Sequence, residues 1–502
     1  MTYNVFYYRF VPAIISIIAG AFFSLGFAPL EYFSVAPLSV AVLFFLWVSA
    51  TPKASFFLGL LFGIGAFTTG VSWVFVSLHS YGNMPASLAV LIVFLFIFIM
   101  ALYPAICGLL QGMFKHLGLS VRMLLICPAL WVLFEWLRSQ MFGGFPWLLL
   151  GYTQVDTMIG SWAPVAGAFS VSFMAAMFGS AIILIFVGAL KTRLVSVFAM
   201  TLIILLSVFC RQQVFVFSDG EPISVAIIQN NVSLSEKWNP AEIQNIAKDY
   251  LTASSVETNA DLIVWPESSL PIYLDQLSTI FIRQLVEHPA DYIFGVLEKK
   301  VEPELKYFNS AVGISRDIDI YRKRQLVMFG EYLPMPFLFS WILDNLDMPM
   351  SSFTSWKQPQ SPMKLAGNQI GVTICYEDAF QARVLSMLPE STVLVNISED
   401  AWFGDSFAPW QRLQIAQIRA LEVGRPLIRS SNNGLSAVIG HNGKIQELAG
   451  MFESEVVRGS VQPMSGLTPF VKYGNRPMFL FLGVLFSYCL AVLWLKRKDI
   501  GH

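Results

Sequence analysis

ISVAIIQNNV, residues 223–232, marks the point where the chain changes character. The run is β-branched and bounded by turn residues, so it reads as a buried strand. The chain before residue 212 reads as long apolar helix. Beyond residue 223 it alternates short strands with helices. Charge divides at the same place: residues 1–210 hold ten charged side chains, and the remaining 292 residues hold 55. The 502-residue chain is 55% hydrophobic and 13% charged, against about 25% charged for a soluble globular protein. One half is therefore built for a membrane and the other for water. A net charge of −1 offers no basic surface for nucleic acid.

A bilayer core of about 30 Å takes roughly 20 apolar residues per helix. Seven such runs fit before residue 212, near 10–28, 33–50, 55–78, 86–113, 123–141, 164–190 and 194–211. An eighth covers 477–495. Lys53, then Lys115 and Arg122, then Lys191 and Arg193 follow the second, fourth and sixth runs, and Lys496, Arg497 and Lys498 follow the eighth. The loop HSYGNMP, 79–85, has no Lys or Arg. Positive loops face the cytoplasm, so eight spans predict cytoplasmic termini and a 212–476 domain on the outer face, in a bacterial periplasm. A competing reading makes the first run a cleaved signal peptide, since Arg9 precedes it; that would leave an odd count and reverse the charge pattern. Glu135 and Arg138 lie within the fifth run at i, i+3. A structural ion pair on one helix face and contact with a lipid headgroup are both open readings.

The aqueous part divides into short elements. PAEIQNIAKDYL, 240–251, predicts a helix with Pro at its first turn. ADLIVWPESS, 260–269, predicts a strand broken at Pro266, and YIFGVLEKK, YFNSAVGIS, QIGVTICYE and TVLVNISED predict further strands. QRLQIAQIRALEVG, 411–424, predicts a helix ending at Gly424, and PLIRSSNNGLSAVIG predicts two strands around the turn Asn433-Gly434. Interleaved strands and helices predict a layered α/β domain of sufficient size for one core. LPMPFLFSWILDNLDMPM, 333–350, is too apolar for a soluble surface and predicts either core or a lipid-facing arm.

Three residues carry chemistry. Cys375 ends the strand of GVTICYEDAF and is the domain's lone thiol, which excludes a disulfide within it. A free cysteine is commonly a buried small hydrophobe; as a nucleophile it needs a base or a cation beside it. Glu267 closes the strand in VWPES, where a carboxylate can be held rigidly at a sheet rim. Lys323 sits in YRKRQ, and period-two alternation puts Tyr321, Lys323 and Gln325 on one face and Arg322 and Arg324 on the other. Glu331 comes eight residues later. The five histidines are scattered and none sits with a cysteine at metal-ligand spacing.

WPES, YRKRQLVMFGEYLP and ICYEDAF, in that order, resemble the Glu-Lys-Cys triad of the nitrilase superfamily. GFAPL at 26–30, GVSWVFVSLHSYG at 70–82, GGFPWLLLGYTQ at 143–154, DAWFGDS at 400–406 and RALEVGRPLIRSSNNGLSAVI at 419–439 narrow the likeness to the apolipoprotein N-acyltransferases. The resemblance implies an αββα sandwich of nitrilase type, residues 212–476, set on eight transmembrane helices: seven in 1–211 and one in 477–502. It implies transfer of a fatty acyl chain from a membrane phospholipid to the N-terminal amine of a diacylglyceryl-cysteine lipoprotein, through a thioester. It assigns Glu267 as base, Lys323 as oxyanion cation and Cys375 as nucleophile, with Trp238, Glu331, Tyr376 and Glu377 as supporting residues and no cofactor. Asp378 receives no role. The chain departs from the pattern at Glu399, where Asn is common, and at Trp410 and Arg412 in FAPWQRLQ, where a Gln-His pairing is common. Both departures are expected to spare the triad and to bear on lid contacts and substrate preference. The rival readings are a membrane-bound nitrilase-type amidase, passing the acyl group to water, and a transporter or channel with a periplasmic binding domain.

Overall fold

The computed structural model describes residues 2–301, 304–332 and 353–500. The apolar stretch 333–350 lies outside the described residues. Two compact units emerge: one of residues 1–75, 86–213 and 472–502, and one of 76–85 and 214–471.

The first unit is helical. Six helices among the described residues are long and apolar enough to cross a membrane: Pro52–Gly70, Ala86–Phe114, Leu119–Gly143, Ile159–Val187, Leu190–Gln212 and Arg476–Leu495. The first two apolar runs form the shorter helices Phe10–Gly26 and Val35–Val48. Large apolar side chains such as Phe57, Phe94, Phe198 and Leu205 are exposed on this unit, as a hydrocarbon solvent allows. Several buried polar side chains find partners within the unit. Arg122, read in the sequence as a loop charge, is buried and donates to the Val48 carbonyl and to Gln111 Oε1. Glu135 accepts from Trp131 Nε1 and from the Leu150 amide, while Arg138 donates to the carbonyls of Phe145, Trp147 and Leu148. Both side chains of this i, i+3 pair therefore tie their helix to the chain at 145–150.

The second unit is built on strands β1 (Val216–Ser218), β2 (Ile223–Gln229), β3 (Leu262–Val264), β4 (Leu270–Tyr273), β5 (Asp291–Lys300), β6 (Lys306–Ile314), β7 (Ile318–Arg322), β8 (Met363–Leu365), β9 (Asn368–Ile374), β10 (Val393–Ser398), β11 (Leu427–Ser431), β12 (Ala437–Ile439), β13 (Ile445–Leu448), β14 (Glu455–Val461) and β15 (Met464–Gly466). One sheet runs β14-β2-β3-β5-β6-β7, with β4 beside β5; the other runs β13-β12-β11-β10-β9-β8; β1 and β15 form a separate antiparallel pair. Strand alternation dictates four layers. Val225 and Ile227 of the first sheet share a core with Val372, Val395 and Ile428 of the second. Ala226 and Ile228 face the other way, onto Ile246 and Tyr250 of the helix Ile243–Ser255. Leu394 and Leu427 face the helix Ala408–Val423 through Leu413, Ala416 and Ala420.

The helix expected from Pro240 begins at Ile243, because Asn239 Oδ1 takes the Ala241 amide and holds Pro240 in a turn. The helix before Gly424 ends there as read, with Gly424 at φ 63°. β11 and β12 pair antiparallel as read, with Leu427 opposite Ile439.

Candidate active site

β9, β10 and β11 run parallel, so their C-terminal ends collect on one rim, where open α/β sheets bind ligands. Cys375 is the residue after β9 and adopts φ 51°, a left-handed conformation that a β-carbon resists. Glu267 comes after β3 across Trp265-Pro266, and Ser268 behind it also has a positive φ of 46°. Gly295 of β5 makes this possible: a Cβ there would stand 2.2 Å from the Ser268 nitrogen and 2.7 Å from Glu267 Cα. Lys323 comes directly after β7, and its amide donates to the Asn309 carbonyl of β6.

These three elements bring Glu267, Lys323 and Cys375 together, all buried. Lys323 Nζ lies 3.1 Å from Glu267 Oε1 and 2.8 Å from Glu331 Oε1. Asn309 Nδ2 bridges the same two carboxylates at 2.7 and 2.9 Å. The Cys375 thiol lies within electrostatic reach of the Glu267 carboxylate and the Lys323 ammonium. Burial raises the Glu267 carboxyl, but Lys323, Asn309 and the thiol outweigh it and hold the group below the usual glutamate range. Burial and the Glu267 charge push the thiol up to about 11, against Arg412 and Lys323. Burial lowers Lys323, yet Glu267 and Glu331 carry it above the ordinary lysine value. The resting arrangement is a carboxylate, an ammonium and a neutral thiol. It can pass a proton from sulfur to carboxylate with a fixed cation alongside.

The supporting residues separate. Glu331 joins the cluster through Lys323 and Asn309, and its Oε2 takes the Val327 amide at 2.8 Å. Glu377 is fully buried and acts as a brace: it accepts from the amides of Ile374, Arg324 and Gln325 and from Tyr321 Oη, tying the strand end of Cys375 to the chain around Lys323. Tyr376 is half-buried, its ring edge-on to Phe380 at 4.9 Å. Trp238 is half-buried with its indole N–H buried and unpartnered among the described residues. Its neighbour Lys237 donates to the Glu267 carbonyl at 3.0 Å. Period-two alternation holds for Tyr321 and Lys323, both buried, while Arg322 turns to Glu298.

Two expectations are corrected. Glu399 and Arg412 do touch the triad. The Glu399 amide donates to Glu267 Oε2 at 2.9 Å, and its carboxylate forms a buried ion pair with Lys237. Arg412 Nη1 lies 3.1 Å from Cys375 Sγ. Only Trp410 is remote, packed on the helix-covered face of the second sheet. Asp378, given no role from the sequence, accepts from Arg412 at 3.1 Å and from Arg429 at 3.4 Å. Asp400 and Arg429 were missed as well: Asp400 accepts from Arg429 Nη2 at 2.8 Å. The physical reason is separation along the chain, since Arg412 lies 37 residues from Cys375 and Glu399 lies 132 from Glu267.

A family model described as the apolipoprotein N-acyltransferase N-terminal domain matches residues 19–181, and one described as carbon-nitrogen hydrolase matches residues 224–468. The chain is 36% identical over 482 residues to an apolipoprotein N-acyltransferase of Methylococcus capsulatus, covering 95% of both chains. It is 36% identical over 485 residues to that of Nitrosomonas europaea, covering 95% of this chain and 96% of that one. To that of Chromobacterium violaceum it is 34% identical, covering 96% and 93%.

Proposed function

Since the chain belongs to the apolipoprotein N-acyltransferase family, we propose that Glu267, Lys323 and Cys375 perform its reaction, with a membrane phospholipid as acyl donor and the N-terminal amine of a diacylglyceryl-cysteine lipoprotein as acceptor. The enzyme is an acyltransferase of lipoprotein biosynthesis with a domain of the carbon-nitrogen hydrolase family. Glu267 takes the proton from Cys375, and the thiolate attacks the ester carbonyl. Lys323 stabilises the oxyanion. The glycerol oxygen leaves with the proton from Glu267 as lysophospholipid, and a thioester remains on Cys375. The acceptor amine then attacks the thioester and yields its proton to Glu267; the C–S bond breaks and the thiol is restored. The scheme is ping-pong.

The observation that carries this reading is the convergence of a buried carboxylate, ammonium and thiol, with Lys323 Nζ 3.1 Å from the Glu267 carboxylate. Two membrane-anchored substrates account for a chain rich in apolar helices. In our reading eight helices span the membrane, with a transmembrane domain of 1–211, a catalytic domain of 212–476 in the periplasm, and a C-terminal helix and tail of 477–502. Both termini are cytoplasmic, as the Lys and Arg loops favour.

Intact-mass measurement of the full chain incubated with phospholipid and no acceptor tests the scheme. A fatty-acyl adduct on Cys375 is expected, lost when a diacylated lipopeptide is added, with the chain recovered on the peptide's N-terminus. Recovery only as free fatty acid would overturn the transferase scheme in favour of a hydrolase.

A further inference from the structure

Arg412 stands on the buried helix Ala408–Val423, pointing at the nucleophile. Its Nη1 lies 3.1 Å from Cys375 Sγ, 2.9 Å from Ser398 Oγ and 3.4 Å from Asp400 Oδ1; Nη2 lies 3.1 Å from Asp378 Oδ1. Arg429 completes a square with the same two carboxylates, at 3.4 Å from Asp378 Oδ2 and 2.8 Å from Asp400 Oδ2. Two guanidinium groups thus face two carboxylates, and the buried charges balance before the sulfur is considered. Arg412 Nη1, shared among Cys375, Ser398 and Asp400, holds a fixed cationic donor at the sulfur. Lys323, in contrast, is directed at Glu267 and Glu331. Among the described residues, the cation in hydrogen-bond contact with Sγ is Arg412.

We propose that Arg412 is a catalytic residue that stabilises the Cys375 thiolate, both as it forms for attack and as it departs from the thioester. The proposal rests on Cys375 being the nucleophile of the reaction above. Sulfur bears its greatest negative charge at two moments. In the first, the S–H proton passes to Glu267 while the S–C bond forms. In the second, the amine nitrogen has bonded to the carbonyl carbon, the C–S bond breaks and its electron pair returns to sulfur; the proton held by Glu267 then restores the thiol. A thioester sulfur is a weak acceptor and a thiolate a strong one, so the Arg412 bond strengthens along the C–S cleavage coordinate. It is thus stronger in the transition state than in the ground state, which is the condition for accelerating a step. Burial and Glu267 drive the thiol up, and Arg412 is the foremost group pulling it back. A guanidinium suits this role because it stays charged at every working pH.

The simpler alternative makes Arg412 a counter-ion for Asp378 and Asp400 alone. Alkylation of Cys375 by iodoacetamide, then peptide mass over a pH series, separates the two in full-length protein in phospholipid–detergent micelles. Arg412→Gln is expected to move the half-alkylation pH up by about one unit and to slow alkylation about tenfold at fixed pH below it. Arg412→Lys keeps the charge but loses the fork, and is expected to fall between. The same variants are expected to slow loss of the acyl adduct to a diacylated lipopeptide by on the order of 10- to 100-fold. An alkylation profile unchanged in Arg412→Gln, with only a fall in Tm, overturns the proposal. If that variant does not fold, an unchanged profile in Arg412→Lys, together with unchanged adduct loss, overturns it equally. Wild-type protein that alkylates with the Arg412 dependence yet never forms an acyl adduct would support the thiolate contact and overturn the transferase reading instead.

Discussion

The amide of Glu399 donates to Oε2 of Glu267 at 2.9 Å, while the Glu399 carboxylate is locked in a buried pair with Lys237. Lys237 closes the loop by donating to the Glu267 carbonyl at 3.0 Å. The pair therefore fixes the Glu267 carboxylate through its backbone and its outer oxygen. Removing one partner of a buried pair strands the other and costs about 3–5 kcal/mol. Lys237→Met is expected to lower Tm clearly and to slow acyl-enzyme formation. Adding Glu399→Gln removes the stranded charge, so the double variant is expected to recover much of the lost Tm. Thermal unfolding of the single and double variants checks this; a double variant no better than Lys237→Met would refute the coupling.

Glu377 accepts four hydrogen bonds from three backbone amides and the Tyr321 hydroxyl. A glutamine keeps the shape but replaces one acceptor oxygen with a donor, so at least one buried N–H loses its partner at about 1–3 kcal/mol. Because those amides flank Cys375 and Lys323, the loss is expected to appear in catalysis. Glu377→Gln is predicted to reduce single-turnover acylation on the order of 10- to 100-fold. A rate within about twofold of wild type would show that the brace does not position the triad.

Gly295 lies against Glu267 without a side chain. A Cβ there would meet the Ser268 nitrogen at 2.2 Å and Glu267 Cα at 2.7 Å, both backbone atoms that cannot swing aside. Gly295→Ala must displace the backbone that carries Glu267. A shift of about 1 Å in a reacting group costs about 100-fold. The expected result is a folded protein with acylation reduced by about that factor, measured by adduct mass and circular dichroism together.

The sequence made the layers legible because burial on both sheet faces demands continuous β-branched runs, as in ISVAIIQ and TVLVNIS. Glu267 and Cys375 each end such a run, but alone they read as a surface acid and a buried small hydrophobe; their roles came from the resemblance carried by WPES and ICYEDAF. Arg412 was not legible as a partner of the thiol. Its helix is buried nearly all round, including Gln411, Arg412, Gln414, Gln417 and Arg419, so no polar face tells which residue meets Cys375. The Asn433-Gly434 turn misled in width: Ser431 and Ser436 bond across a longer loop, Ser436 Oγ to the Ser431 carbonyl at 3.0 Å. Glu399 acts through its main-chain N–H, and a residue's backbone donor leaves no mark in the letter at that position.

The two half-reactions should depend on pH differently. With Glu267 held below the usual glutamate range, it is the carboxylate near neutrality, where the thiol at about 11 stays protonated. Acylation by phospholipid therefore needs no titration near neutrality and is expected to be flat from about pH 5 to pH 9, falling only on the acid side as Glu267 gains its proton. Aminolysis needs the acceptor's amine in its neutral form, so it is expected to rise through the α-ammonium range of about 7.7–8.0. Single-turnover acylation and adduct loss, measured separately over pH 4–10, check both limbs. Glu267→Gln is expected to remove the acid limb and slow acylation on the order of 10²- to 10⁴-fold, leaving only the slow rise with thiol ionisation. A wild-type acylation rate that climbs tenfold per unit between pH 7 and pH 9 would mean that the free thiolate attacks and that Glu267 is not its base.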